Sequence, residues 1–212
     1  MKKENKRVFY LSAILLLAFV IFTVTLCFVD IKAIGPKEKT VGFATINESF
    51  HNLTRVNMSL YNITDWLGLV PIFVAMGFAF LGLCQWIKRK HINNVDYSIL
   101  LLGVFYIVVM ATYIFFENVV INYRPILINE YLEASYPSST TMLSICVMLT
   151  ALMQFNLRIK NKFLRHSIAF VITAFVLFMI IARLLSGVHW LTDIIGGILL
   201  SLGLVTMYKA FL

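Results

Sequence analysis

A short stretch near the C-terminus, residues 182–193, holds three side chains of different chemistry. His189 and Asp193 are four residues apart, so on a helix they share one face, where the carboxylate can hold the imidazole in one tautomer and support positive charge on it. Arg183, six residues before His189, supplies a planar guanidinium that suits a phosphate or a carboxylate. The types and the spacing of these residues therefore indicate an oxyanion site with a supported imidazole.

The composition of the chain indicates the class of protein that carries these three side chains. The chain has 212 residues, of which 60% are hydrophobic and 13% charged, and its mean hydropathy is +0.88. Soluble domains are about half apolar and about a quarter charged, so the composition predicts a membrane protein. Cys27, Cys84 and Cys146 lie in apolar runs and are predicted to be buried free thiols, with no disulfide framework and no cysteine-based metal site.

Six apolar runs predict six transmembrane helices, because most of them approach the roughly 20 residues that cross a bilayer. The first run is too long for a typical signal peptide and is predicted to be retained as a helix. We therefore expect an all-α integral membrane bundle that forms one domain, residues 1–212. The runs span approximately residues 8–29, 66–87, 97–116, 140–155, 167–185 and 190–212.

The segment between the first two runs has a different pattern. It begins as a polar loop and then carries apolar residues near a helical period, from Ile46 to Leu67, which predicts one amphipathic helix on the membrane surface. Four Asn-x-Ser/Thr triplets occur there, and we interpret them as polar residues on the wet face of that helix rather than as glycosylation acceptors. The triplets begin at Asn47, Asn52, Asn57 and Asn62.

The distribution of positive charge predicts the orientation in the membrane. With six crossings, twelve of the eighteen lysines and arginines fall on the side of the two termini. The positive-inside rule makes that side cytoplasmic. The net charge of +8 is therefore a topology signal rather than a sign of nucleic-acid binding. We expect a multi-pass protein of the plasma membrane with both termini in the cytoplasm.

This topology brings the chemically active residues to the outer face. Arg124, Ser138, Arg183, His189 and Asp193 lie in separate loops or helix ends, yet all reach one level of the membrane. Charged groups at membrane depth are costly and usually face a protein interior or an aqueous cavity. The outer face is therefore the predicted place of the oxyanion site.

The start of the fourth apolar run adds a second phosphate-binding feature. Ser138, Ser139 and Thr140 are predicted to begin that helix, where free N–H groups and the helix dipole favour an anion. We therefore assign these three residues to substrate binding.

Three motifs in this order resemble the signatures of the PAP2 (type 2 phosphatidic acid phosphatase) superfamily, from about Trp66 to the C-terminus. The family signatures are Lys-x6-Arg-Pro, Pro-Ser-Gly-His and Ser-Arg-x5-His-x3-Asp. The third signature is the specific one, whereas Arg-Pro or Pro-Ser-Ser alone would be weak. The corresponding motifs here are Arg124-Pro125, Pro137-Ser138-Ser139 and Arg183-x5-His189-x3-Asp193.

The resemblance implies a role for each site residue. His189 would be the nucleophile that forms a phosphohistidine, and Asp193 would orient its imidazole. Arg124 and Arg183 would hold the phosphate oxygens, and Ser138 would donate a further hydrogen bond. The family needs no metal and no cofactor, and the chain shows no cluster of metal-ligating residues at ligand spacing.

Three positions depart from the family pattern. Ala182 replaces the serine before the arginine, Glu117 stands where the first signature has lysine, and Thr140 stands where the second has histidine. The lost histidine is the group that, in the family, protonates the leaving oxygen, and threonine does not do so near neutral pH. Glu130 or Glu133 would replace it only if burial raised its pKa.

The leaving group then favours one substrate class. A phosphate leaves far more easily than an alkoxide, since the second pKa of a phosphate monoester is about 6. We therefore expect a phosphatase that acts on a lipid diphosphate, such as a polyprenyl carrier, among the membrane lipids. A phosphatidylglycerophosphate-like or phosphatidate monoester phosphatase remains an alternative. So does a non-catalytic protein that binds or transports lipid phosphates.

Overall fold

The structure, a computed structural model, describes residues 3–212, and this part of the chain forms eight α-helices. Met1 and Lys2, the latter counted among the cations above, lie outside the described residues. Two short 3-10 turns, Pro36–Glu38 and Ile92–Asn94, precede α2 and α5. The helices are α1 (Lys3–Phe28), α2 (Ala44–Thr54), α3 (Met58–Leu67), α4 (Leu69–Arg89), α5 (Tyr97–Asn118), α6 (Ser139–Arg158), α7 (Lys162–Leu185) and α8 (Leu191–Phe211).

Six of these helical segments are long and apolar enough to cross a membrane. They are α1, the continuous pair α3–α4, and α5 to α8. Over residues 3–212 the regular elements are helical, and strand-like pairing is limited to isolated bridges such as Lys32 with Val41. The predicted all-α bundle with six spanning helices is confirmed.

The single surface helix predicted before the second span is wrong, because the chain forms two helices there. Arg55 has a positive φ of 55°, which ends α2. Asn57 then caps α3, since its side-chain oxygen accepts the N–H of Leu60 at 3.1 Å. The backbone N–H of Asn57 donates to the carbonyl of Ser186 at 2.9 Å, so the break is attached to the turn that precedes His189.

Two burial predictions also fail. Cys27 is exposed on the surface of α1, whereas Cys84 is half-buried and Cys146 is buried. Asn47 is fully buried rather than on a wet face, and its side-chain oxygen accepts the N–H of Thr192 at 3.2 Å. Asn47 therefore supplies an acceptor for the first turn of α8, whose N–H groups have no partner within the helix.

Helix α8 lies at the centre of the bundle, packed against α1 and α6. Ser12 of α1 donates through its Oγ to the carbonyl of Gly203 at 2.8 Å. A Cβ on Gly203 would lie 2.7 Å from a methyl carbon of Leu16, so the absent side chain lets the two helices approach closely. The result is a rigid central helix whose first turn carries Asp193.

Tyr136 fixes the loop of residues 119–138 over the first turns of α6 and α8. Its ring stacks on Phe19 with centroids 6.2 Å apart, and its hydroxyl is 2.7 Å from Oγ1 of Thr23. On the other side it packs against Gly196, where a Cβ would lie 2.4 Å from the ring. The tyrosine therefore connects α1 to α8 and holds the adjacent residues of the loop beside the start of α8.

Candidate active site

His189 and Asp193 meet at the start of α8, although His189 lies in the turn before the helix rather than on it. Asp193, in the first helical turn, accepts the backbone N–H of Trp190 through Oδ2 at 2.9 Å. The same oxygen lies 3.5 Å from Nδ1 of His189, and both side chains are buried. A carboxylate that caps its own helix therefore also faces the imidazole.

Further contacts hold Asp193 in place. Its Oδ1 accepts from Nδ2 of Asn122 at 3.4 Å, and its backbone carbonyl accepts the N–H of Ser138 at 3.0 Å. Ser135 donates to the carbonyl of Asn122 through its hydroxyl and through its backbone N–H. The sequence analysis missed Asn122 and Ser135, because a lone polar residue in a loop carries no periodic signal.

Arg183 lies in the last turn of α7 with its side chain only 2% exposed. Its Nη1 donates to Oγ1 of Thr64 at 3.1 Å and is 3.9 Å from Oδ1 of Asp65. Among the residues that the structure describes, its Nε has no hydrogen-bond partner. A buried guanidinium with an unused donor is prepared to bind an anion.

Arg124 projects from the loop between α5 and α6, and its side chain is 10% exposed. Its Nε is 3.0 Å from Oε2 of Glu133, an ion pair at the edge of the site. Its Nη1 is buried and finds no partner within residues 3–212. Glu133, which the sequence offered as a substitute acid, is therefore paired with a cation of the site.

The three residues at the start of α6 separate into different environments. Ser138 is the buried N-cap residue, and its hydroxyl lacks a partner in the described part of the chain. Ser139 lines a pocket between α5 and α6 together with His189 and Glu117. Thr140 points elsewhere, with its methyl group beside Gly68 at the α3–α4 junction. Of the three predicted substrate-binding residues, only Ser139 therefore lines the pocket that contains His189.

The environment of His189 controls its protonation. Burial lowers the pKa of His189 well below its usual value, and the positive charges of Arg124 and Arg183 lower it further. The imidazole is therefore neutral at physiological pH. Since Nδ1 faces Asp193, the lone pair available for attack is the one on Nε2, which has no partner in residues 3–212.

Trp190, the residue after His189, is buried beside the site. It is 2% exposed, and its indole N–H donates to the carbonyl of Tyr123 at 2.7 Å. Its ring lies 5.5 Å from that of His51, which is half-buried in α2. Trp190 therefore joins the loop that carries Arg124 to the turn that carries His189.

The C-terminal part of the chain, which contains these site residues, matches the model of a known family. Residues 117–212 match the family model of the PAP2 superfamily. We refer to residues 117–212, just under half of the chain, as the PAP2 segment because of this match. The match contains the three motifs described above, and it begins later than the start near Trp66 that we expected from them. The five charged or polar residues that the motifs single out, Arg124, Ser138, Arg183, His189 and Asp193, all lie within the PAP2 segment.

The whole chain shares its fold with a solved PAP2 protein. It is similar to the crystal structure of a transmembrane PAP2 type phosphatidylglycerolphosphate phosphatase from Bacillus subtilis, with a TM-score of 0.61. The two chains are 19% identical, and the similarity covers 94% of each. No curated protein matches the chain significantly. The fold similarity thus extends beyond the PAP2 segment to the N-terminal helices.

Proposed function

We propose that the protein is a membrane phosphatase that removes the terminal phosphate from a lipid diphosphate, such as a polyprenyl diphosphate. The observation that supports this most directly is the buried, neutral His189 beside Asp193, with two buried arginines at the same end of the bundle. The match of residues 117–212 to the family model of the PAP2 superfamily supports the reaction class.

The proposed reaction proceeds in two displacements. Nε2 of His189 attacks the terminal phosphorus, the bond to the bridging oxygen breaks, and the lipid monophosphate leaves. Asp193 stabilises the positive charge that develops on the imidazole. Arg124 and Arg183 bind the oxygens of the transferred phosphoryl group, and the hydroxyl of Ser138 donates to one of them. Water then attacks phosphorus and releases phosphate and free His189.

The preference for a diphosphate follows from the acid that the site lacks. Thr140 replaces the family histidine, and Glu133 is paired with Arg124. A leaving group that departs without protonation is therefore favoured, and a phosphate leaves far more easily than an alkoxide. The chemistry as proposed uses protein side chains alone and needs no metal ion.

Phosphate release by the purified protein in detergent tests this proposal. We expect release from a polyprenyl diphosphate in the presence of a chelator, and slower release from phosphatidylglycerophosphate or phosphatidate. His189→Ala should reduce the rate at least about a thousand-fold, because it removes the nucleophile. His91→Ala is the matched control, since His91 is exposed in the loop between α4 and α5.

The outcomes separate the candidate functions. Faster release from the monoesters would favour the alternative, a phosphatidylglycerophosphate-like or phosphatidate phosphatase. Binding of lipid phosphate without any release would favour a binding or transport protein. The carboxylates next to the two arginines, Glu133 and Asp65, are the observation behind that last alternative, because they compete with substrate for the cations. Undiminished release by His189→Ala would contradict a phosphohistidine route.

A further inference from the structure

The two arginines of the site contact one aromatic ring that belongs to neither of their own segments. Cζ of Arg183 lies 4.8 Å from the ring centroid of Tyr61, and Cζ of Arg124 lies 5.8 Å from the same centroid. Arg183 comes from α7 and Arg124 from the loop after α5, whereas Tyr61 belongs to α3, outside the PAP2 segment. Both distances are within the range of a cation–π contact.

Helix α3 presents one face to the arginines. Tyr61, Thr64 and Asp65 are three and four residues apart and therefore lie together on that face. Thr64 accepts a hydrogen bond from Arg183, and its own hydroxyl is 2.8 Å from the carbonyl of Leu60. The first turn of α3 is attached to the turn before His189 through the bond from Asn57 to Ser186. The ring of Tyr61 is therefore held at a fixed place relative to both cations.

A ring is a suitable partner for cations that must bind phosphate. Two guanidinium groups at one site repel each other, and the negative face of an aromatic ring offsets part of that repulsion. Unlike a carboxylate, the ring face attracts the cation without taking its N–H groups in directional hydrogen bonds. Nε of Arg183 and Nη1 of Arg124 accordingly have no partner anywhere in residues 3–212.

We propose that Tyr61 is a positioning residue of the phosphate site, whose ring holds the guanidinium groups of Arg124 and Arg183 while Nε of Arg183 and Nη1 of Arg124 stay free for substrate. The inference rests on the proposed function, since it assumes that the anion is the phosphate of a lipid. It assigns a role in binding to α3, which precedes all three family motifs in the chain.

Substitutions that separate the ring from the hydroxyl test this role. Tyr61→Phe keeps the ring face and should leave KM for the lipid phosphate within about two-fold of the wild type. Tyr61→Leu removes the ring and should raise KM about ten-fold, with a smaller change in kcat, because two cation contacts are lost. Tyr97→Leu is the matched control, since Tyr97 is exposed at the opposite end of the bundle.

A shape-preserving variant covers the case in which Tyr61→Leu does not fold. Trifluorinated phenylalanine at position 61 keeps the size of the ring and weakens its negative face, so KM should rise between the values for Tyr61→Phe and Tyr61→Leu. The proposal is overturned if this variant matches Tyr61→Phe. It is also overturned if Tyr61→Leu folds normally and keeps the wild-type KM.

A measurement without turnover distinguishes this inference from the proposed function. Inorganic phosphate should raise the thermal unfolding temperature of the wild type, and Tyr61→Leu should lose most of that increase. Protection by phosphate in a protein that hydrolyses no lipid phosphate would contradict the proposed function and leave the role of Tyr61 intact. Equal protection of the wild type and Tyr61→Leu would contradict the role of Tyr61.

Discussion

At the scale of single residues, His189 is unusual because its surroundings keep it neutral although a carboxylate lies next to it. An exposed histidine beside an aspartate would gain a proton more easily. Here burial has the largest effect on the pKa of His189, and Arg124 and Arg183 act in the same direction. The attacking nitrogen therefore keeps its lone pair, and Asp193 becomes most useful when charge develops on the ring during the reaction.

The lowered pKa of His189 predicts a specific dependence on pH. Below its ordinary value of 6.5, the imidazole takes up a proton in the unfolded chain but not in the folded protein. The unfolded state then binds more protons, so the free energy of unfolding falls as the pH drops below 6.5 and is undiminished above it. We expect His189→Asn to lose less thermal stability than the wild type between about pH 7 and pH 5. Parallel losses in both proteins, measured by thermal unfolding in detergent, would contradict this.

The residues that the sequence identified differ from those that it missed in one physical respect. Arg183, His189 and Asp193 stand out because a charged or titratable side chain in an apolar chain must have a reason to be there. Tyr61 and Asn122 are ordinary residues for a surface helix and a loop, and only the three-dimensional contacts show that they touch the site. Contacts across 71 residues, as between Asn122 and Asp193, leave no local pattern.

At the scale of elements, the turn between α7 and α8 depends on Gly187. This residue has a φ of +68°, and a Cβ there would lie 2.0 Å from the carbonyl oxygen of Arg55. The turn before His189 and the break between α2 and α3 therefore pack backbone against backbone. A pattern of apolar residues cannot reveal this contact, which explains why we predicted one helix where the chain forms two.

Gly187→Ala is therefore expected to destabilise the protein and to displace His189. The positive φ and the clash with Arg55 should cost about 1–3 kcal/mol or more, and phosphate release should fall because the turn carries the nucleophile. Gly77→Ala is the matched control, since a Cβ at Gly77 in α4 meets nothing within 4 Å. That control should keep wild-type activity and stability within about 1 kcal/mol. Thermal unfolding and phosphate release are to be measured for both variants. Equal stability and equal activity of Gly187→Ala and Gly77→Ala would contradict the role assigned to Gly187.

At the scale of the whole molecule, the six spans were predictable because the bilayer imposes length and hydropathy on each of them. The order of the helices in the bundle was not predicted, although the two most buried spans, α6 and α8, are also the least apolar of the six. Helix α8 is central because Gly196, Gly197 and Gly203 allow close approach of Tyr136, Ser138 and Leu16.

The distribution of positive charge also predicts how the bundle is oriented in the membrane. Because most of the cations lie at the end of the bundle opposite to His189, the positive-inside rule predicts that the site faces away from the cytoplasm. In a protein with Cys27 replaced by alanine, we expect Glu38→Cys and Glu130→Cys to react with a membrane-impermeant maleimide in intact cells. Lys90→Cys and Lys160→Cys lie in the loops at the end of the bundle opposite to His189, and they should react only after the membrane is permeabilised.

The reverse labelling pattern would show that the site faces the cytoplasm. The contacts among His189, Asp193 and the two arginines would be unchanged, so the proposed chemistry would stand. The substrate would then have to present its phosphate at the inner leaflet, and a lipid carrier whose diphosphate is exposed at the outer surface would be excluded. The labelling experiment therefore tests which lipids can reach the site, independently of whether the site is active.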